Sequence, residues 1–299
     1  MRTLPTALVV VAIALAAGTP ADATFEGQNG RLLYQQKVGE HEQLFSVGPD
    51  GSDPRQLTDF ADASAINASW SPDGTKIAFV LYSESPERWR IYTMNADGSS
   101  KREFERRYRL AVAWLPDSRH LFVLRKLRWT IVTSNGGSPR DAGVPGWGDT
   151  PCVFADGKRV AFTSERQQGG TAIFVGRIGG GPGTLKRITP WQSMADKIDC
   201  SPDGSKIVFS KPEFGFSSSN VFMTGADGSG LRQLTHSHGN GINNGANSWS
   251  PDGRKISFVS NRAPDGVFRV YTMDIDGSHV TPVTRGNGDA GRSSWGSRP

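Results

Sequence analysis

His236-Ser237-His238 places two imidazoles near one another, the start of a metal site, but a zinc ion needs three or four protein ligands and two do not make one. His41-Glu42 lacks the second histidine of a zinc-protease helix. Asp274-Ile275-Asp276-Gly277 opens like a calcium loop, yet the later acidic ligand is missing and strand-type residues flank it, so a turn is expected. The glycine run Gly179-Gly180-Gly181-Pro182-Gly183 has no Lys-Ser/Thr after it, which makes a hairpin loop the expectation and not a phosphate loop. A hydrolase nucleophile would need a Gly-x-Ser-x-Gly elbow on a separate α/β domain, and the chain has neither the motif nor the length left over for it. No catalytic residue, metal or cofactor is therefore expected. Arginine supplies the remaining chemistry: Arg88, Arg107, Arg109, Arg125 and Arg128 crowd into one stretch with Arg90, Arg106 and Lys126, a candidate docking patch for an anionic partner.

The elements that must position these side chains come from a repeat. Trp70-Ser71-Pro72-Asp73-Gly74-Thr75-Lys76-Ile77-Ala78-Phe79 returns as Trp249-Ser250-Pro251-Asp252-Gly253-Arg254-Lys255-Ile256-Ser257-Phe258 and as Cys200-Ser201-Pro202-Asp203-Gly204-Ser205-Lys206-Ile207-Val208-Phe209. Weaker copies begin at Trp114, Val153 and Asn29. A second half follows in several copies, as in Ile91-Tyr92-Thr93-Met94-Asn95-Ala96-Asp97-Gly98-Ser99. Asp-Gly between short β-branched and aromatic runs is a hairpin signal, so each copy reads as strand A, turn, strand B, variable loop, strand C, turn, strand D. A spacing of roughly 40 to 50 residues suits a four-stranded propeller blade. Ile77-Ala78-Phe79-Val80 is apolar on both faces, as in a sheet sandwiched between neighbours. The expectation is an all-β, six-bladed propeller of four-stranded antiparallel blades. Trp295 begins an A strand with no B strand after it, and the strand from Asn29 lacks an A strand before it, so these terminal strands are expected to pair and close the ring.

These motifs resemble the TolB-like propeller family, whose repeats carry a Trp-Ser-Pro-Asp-Gly core and a later Asp-Gly-Ser hairpin. The resemblance covers nearly all of the chain after its leader and implies the fold more than a function. Related repeats also form the propeller halves of some serine peptidases and pectin-degrading lyases.

Of 299 residues, 36% are hydrophobic and the net charge is +5, a globular and mildly basic chain. Arg2, the apolar run over residues 8–17 and Ala21-Asp22-Ala23 read as a signal peptide over 1–23, leaving 24–299 for the propeller. The mature protein is expected in the periplasm or outside the cell, as a monomer and not embedded in a membrane. Nucleic acid is a poor candidate partner for an exported chain, although Trp89 and Tyr108 interleave with the arginines. Cys152 and Cys200 lie in the inner strands of neighbouring blades, where a disulfide and a pair of buried thiols are both open readings.

A meandering blade puts its tight turns on one face and its B–C and D–A connections on the other, and binding residues are expected on that second, variable face. Candidates there are Asn67, Asp149, Asp196, His236, His238, Asn247, Asp289 and Arg292, together with the arginines. The expected function is a non-catalytic scaffold for a protein or an anionic cell-envelope component. The alternative is a polysaccharide lyase or hydrolase working at the channel mouth around His236 and His238.

Overall fold

In the computed structural model, residues 27–103, 108–126, 128–145, 148–167, 169–213, 218–286 and 288–299 are described, with only the backbone of 108–111. Six four-stranded antiparallel sheets make six blades. From the inner strand outward, blade 2 is Ser64–Trp70, Lys76–Glu84, Glu87–Asn95 and Arg102–Glu103, and blade 3 is Tyr108–Trp114, His120–Arg125, Arg128–Thr133 and Arg140–Asp141. Blade 4 is Asp149–Val153, Arg159–Glu165, Thr171–Arg177 and Lys186–Arg187; blade 5 is Asp196–Cys200, Lys206–Glu213, Ser218–Gly225 and Arg232–Gln233. Blade 6 is Asn244–Trp249, Lys255–Ser260, Arg269–Asp274 and Thr281–Pro282. Blade 1 takes its inner strand, Ser294–Ser297, from the end of the chain and continues with Asn29–Val38, His41–Val47 and Arg55–Gln56. Leu32 stands opposite Trp295 and Leu33 opposite Ser294, so the ring closes as the sequence predicts.

The Ser-Pro-Asp-Gly turn explains its own recurrence. Ser71 Oγ donates to Asp73 Oδ1 at 2.6 Å, the same carboxylate oxygen accepts the Thr75 N–H at 3.0 Å, and the Lys76 N–H donates to Ser71 Oγ at 2.9 Å. Ser201 with Asp203, and Ser250 with Asp252, repeat this arrangement. Gly74 lies at φ +69°, and a Cβ there would sit 2.3 Å from the Ser297 carbonyl oxygen, so the turn needs glycine for its conformation and for its approach to the closing strand.

Packing between blades supplies the core. Ile77, Ala78, Phe79 and Val80 are wholly buried. Trp70 lies against Gly296, where an added Cβ would come within 2.4 Å of the indole, and the Trp114 Nε1–H donates to the Ser69 carbonyl of the preceding blade at 3.2 Å. A disulfide joins Cys152 of blade 4 to Cys200 of blade 5, with the Cα atoms 5.7 Å apart.

Candidate functional site

The inner strands end at the variable face in a shared irregularity. Three residues before the Trp position, Asn67, Lys197 and Ala246 take φ of +53°, +49° and +51°, and Thr150 takes +43° at the matching place in blade 4. The register of each of these strands shifts there against its neighbour. A bulge in the left-handed region is uncommon for residues other than glycine, and it turns the strand end and its side chains away from regular pairing. These four blades thus present altered strand ends around the mouth of the central channel, and the register of the blade 3 inner strand shifts at the matching place, between Arg109 and Val112.

Above that ring, over blades 4 to 6, a funnel of about 740 Å³ opens on the variable face. Its apolar wall comes from Leu124, Met194, Pro212, Ala246, Val259 and Phe268, and its charged groups are Asp149, Glu165, Asp196, Lys197 and Lys211. Lys197 Nζ stands 3.9 Å from Asp196 Oδ2, and Lys211 Nζ 3.9 Å from Glu213 Oε1. Burial, and then Arg292, push the Lys197 ammonium below its ordinary pKa, against Asp196 and Asp149.

Below the funnel the channel narrows to a cavity of about 130 Å³ lined by Trp70, Trp114, Trp249 and Trp295 with Asn67, Asp199, Asn247 and Arg292. Arg292 Nη1 donates to Asn67 Oδ1 at 2.9 Å, and Asn247 Nδ2 donates to the Lys197 carbonyl at 2.9 Å. The Asp199 carboxylate accepts from the Trp249 N–H at 2.8 Å, from Ser248 Oγ at 2.9 Å and from the Cys200 N–H at 3.0 Å. Burial nonetheless pushes it up to about 6, the hydrogen bonds and Arg292 working against that rise.

The structure therefore brings Asn67, Asp149, Asp196, Asn247 and Arg292 to one channel mouth. His236 and His238 are exposed, their ring centroids 6.0 Å apart, and they line neither cavity. Asp289 accepts the Phe268 N–H at 2.8 Å beside the funnel. Arg88 is exposed at the B–C end of blade 2, Arg125 is partly buried in blade 3, and Arg128 lies 3.6 Å from Asp141. Arg107 lies outside the described residues, and of Arg109 only the strand position opposite Leu124 is described. Among the described residues no three His, Cys, Asp or Glu side chains are grouped to hold a metal ion, and no helix is long and apolar enough to cross a membrane.

Sequence reasoning missed Glu165, Met194, Lys197, Asp199 and Phe268. Asp199 alone carried a legible signal, an acid at the position where other inner strands have Ser69, Ser248 and Ser294.

A six-bladed ring closed by its terminal strand, with a funnel on its variable face, defines a propeller scaffold. The chain belongs to the TolB beta propeller domain family, whose model matches residues 149–298. An uncharacterised protein of Agrobacterium fabrum is 29% identical over 142 residues, a match covering 47% of this chain and 44% of that protein, so it spans less than half of the relative's length. TolB from Acinetobacter baumannii superposes with a TM-score of 0.73 at 20% identity, over 92% of this chain and 68% of that one. The TolB candidate of Agrobacterium tumefaciens gives a TM-score of 0.59 at 20% identity, over 90% of this chain and 99% of its own. At that identity these two likenesses speak for the fold alone.

Proposed function

We propose that this protein is an exported, non-catalytic scaffold that holds a protein partner on its variable face, with the funnel over blades 4 to 6 as the contact point. The observation that carries the reading is the funnel itself. A cavity of about 740 Å³ is of ligand-pocket size, and here it is walled by residues held on the first three strands of the blades and on the loops between them. Arg88, beside the B–C turn of blade 2, and Arg125 and Arg128, on either side of that of blade 3, would steer an anionic surface of a protein or cell-envelope partner toward it.

Export is supported by the apolar run over residues 8–17 followed by Ala21-Asp22-Ala23, and a Cys152–Cys200 disulfide suits an oxidising compartment. The test is affinity capture from a native envelope fraction with two forms of the protein. Thr171 lines the funnel and is partly exposed, so Thr171→Trp should fill it without touching the core. A partner captured by the wild type and lost with the folded Thr171→Trp variant supports the reading. Retention by both removes the funnel as the contact point.

A further inference from the structure

We propose that the funnel receives a cationic, apolar segment of the partner, one basic side chain flanked by apolar ones; this rests on the reading that the funnel is a binding site. Charge bookkeeping on the funnel wall points there. Lys197 is matched by Asp196 and Lys211 by Glu213, each at 3.9 Å. Asp149 and Glu165 remain, both exposed; among the described residues neither has a basic side chain within ion-pair distance, although Asp149 is near enough to Lys197 to favour its charged form. Asp149 has given Oδ1 to the Thr150 N–H at 2.7 Å, which fixes the carboxylate at the mouth and leaves Oδ2 for a ligand.

Both carboxylates belong to blade 4, one at the start of its inner strand and one at the end of the next, so the excess negative charge falls on one side of the funnel. The apolar part of the wall is Phe268, Val259 and Ala246 from blade 6, Pro212 from blade 5, Met194 from the connection between blades 4 and 5, and Leu124 from blade 3. The funnel is thus an acidic, carbon-lined site in a chain whose net charge is +5. An acidic segment would meet two carboxylates that have no ion pair among the described residues, and a polar basic one would leave the apolar wall unused. A basic side chain beside apolar ones answers both features, with its charge paired at the exposed carboxylates of blade 4 and its neighbours against carbon.

Three capped peptides with amidated ends test this, each titrated against the purified protein and followed by calorimetry or by NMR shifts of funnel residues. One carries leucine, arginine and phenylalanine; the second replaces arginine by glutamate; the third keeps arginine between two serines. The first should bind at least tenfold more tightly than either of the others. Asp149→Asn keeps the acceptor for the Thr150 N–H, and combined with Glu165→Gln it should cost the first peptide about tenfold in affinity while the fold is unchanged. Equal binding of the first two peptides, indifference to the double variant, or no saturable binding would overturn the proposal. If the Thr171→Trp variant loses the native partner while the peptides show no charge preference, the funnel is the contact point and only the partner chemistry is wrong. If the first peptide binds as expected while Thr171→Trp retains the partner, the funnel takes such a segment but is not where that partner is held, and both the contact-point reading and the assignment of the segment to the partner fail.

Discussion

Asp199 in the inner strand of blade 5 accepts the backbone N–H of Trp249 in blade 6 at 2.8 Å, through the same oxygen that takes the Ser248 hydroxyl at 2.9 Å. Ser248 Oγ in turn accepts the Trp295 N–H of the closing strand at 3.1 Å. With the Cys152–Cys200 disulfide, blades 4, 5, 6 and 1 are joined side by side around the channel. The carboxylate at the middle of this chain is charged at a cost, since burial holds its folded-state pKa near 6, above the ordinary 3.8.

That shift predicts a pH dependence. An acid whose pKa is raised on folding favours the native state when protonated, so its contribution is best below about pH 4 and declines as pH rises from 4 through 6. The full shift is worth at most ~3 kcal/mol. Asp265, held down to about 2 by hydrogen bonds from Arg269, works in the opposite sense, but its stabilisation is lost only as pH falls below the ordinary carboxylate value. Chemical denaturation between pH 4 and 7 should therefore give a falling stability that flattens in Asp199→Ser, the residue type of Ser69, Ser248 and Ser294. An identical slope in wild type and variant would assign the dependence to another group.

Trp295 locks the ring. Its indole is buried, its Nε1–H donates to the Gly30 carbonyl at 3.2 Å, and its strand supplies the inner edge of blade 1. Trp295→Ala should cost about 3–5 kcal/mol, read from urea denaturation. A loss under about 1 kcal/mol would mean that the closing strand contributes little.

The disulfide spans 48 residues, and loop-closure entropy for that length corresponds to about 4 kcal/mol of stabilisation. Replacing both Cys152 and Cys200 by serine should lower stability by up to that amount and leave the far-UV spectrum intact. Thiol titration of the denatured, unreduced protein should find no free thiol; two would refute the bridge.

The fold was legible because each hairpin is specified locally: Asp73, Asp203 and Asp252 fix their turns with hydrogen bonds inside five residues, so the motif and the geometry are the same object. Closure was legible because Trp295 began a strand that the first repeat lacked. The funnel is of another kind. Leu124, Met194 and Phe268 come from three different blades or connections, share no motif and meet only after the ring closes. Lys197 has the same cause, since its place in the channel depends on a left-handed bulge that no residue type announces. The arginine cluster was conspicuous in sequence, but none of its described members lines the funnel, although Arg125 follows Leu124, which does.

The exposed arginines beside blades 2 and 3 and the carboxylates of the funnel should act on different steps of association. Arg88 is exposed and has no ion pair among the described residues, whereas Arg128 is partly offset by Asp141 at 3.6 Å. Such rim charges act over distance on an approaching partner and are screened beyond roughly 8 Å at physiological ionic strength. Substituting Arg88, Arg125 and Arg128 by glutamine should slow association with the captured partner several-fold at low salt, with little change in its release. Asp149→Asn with Glu165→Gln should instead speed release, because those carboxylates act inside the funnel. Glutamine at Lys76, Lys206 and Lys255, beside the turns of the opposite face, is the matched control. Surface-binding kinetics with all three sets at two salt concentrations would decide it: if the opposite-face lysines slow association as much as the arginines do, net charge and not this face guides the encounter.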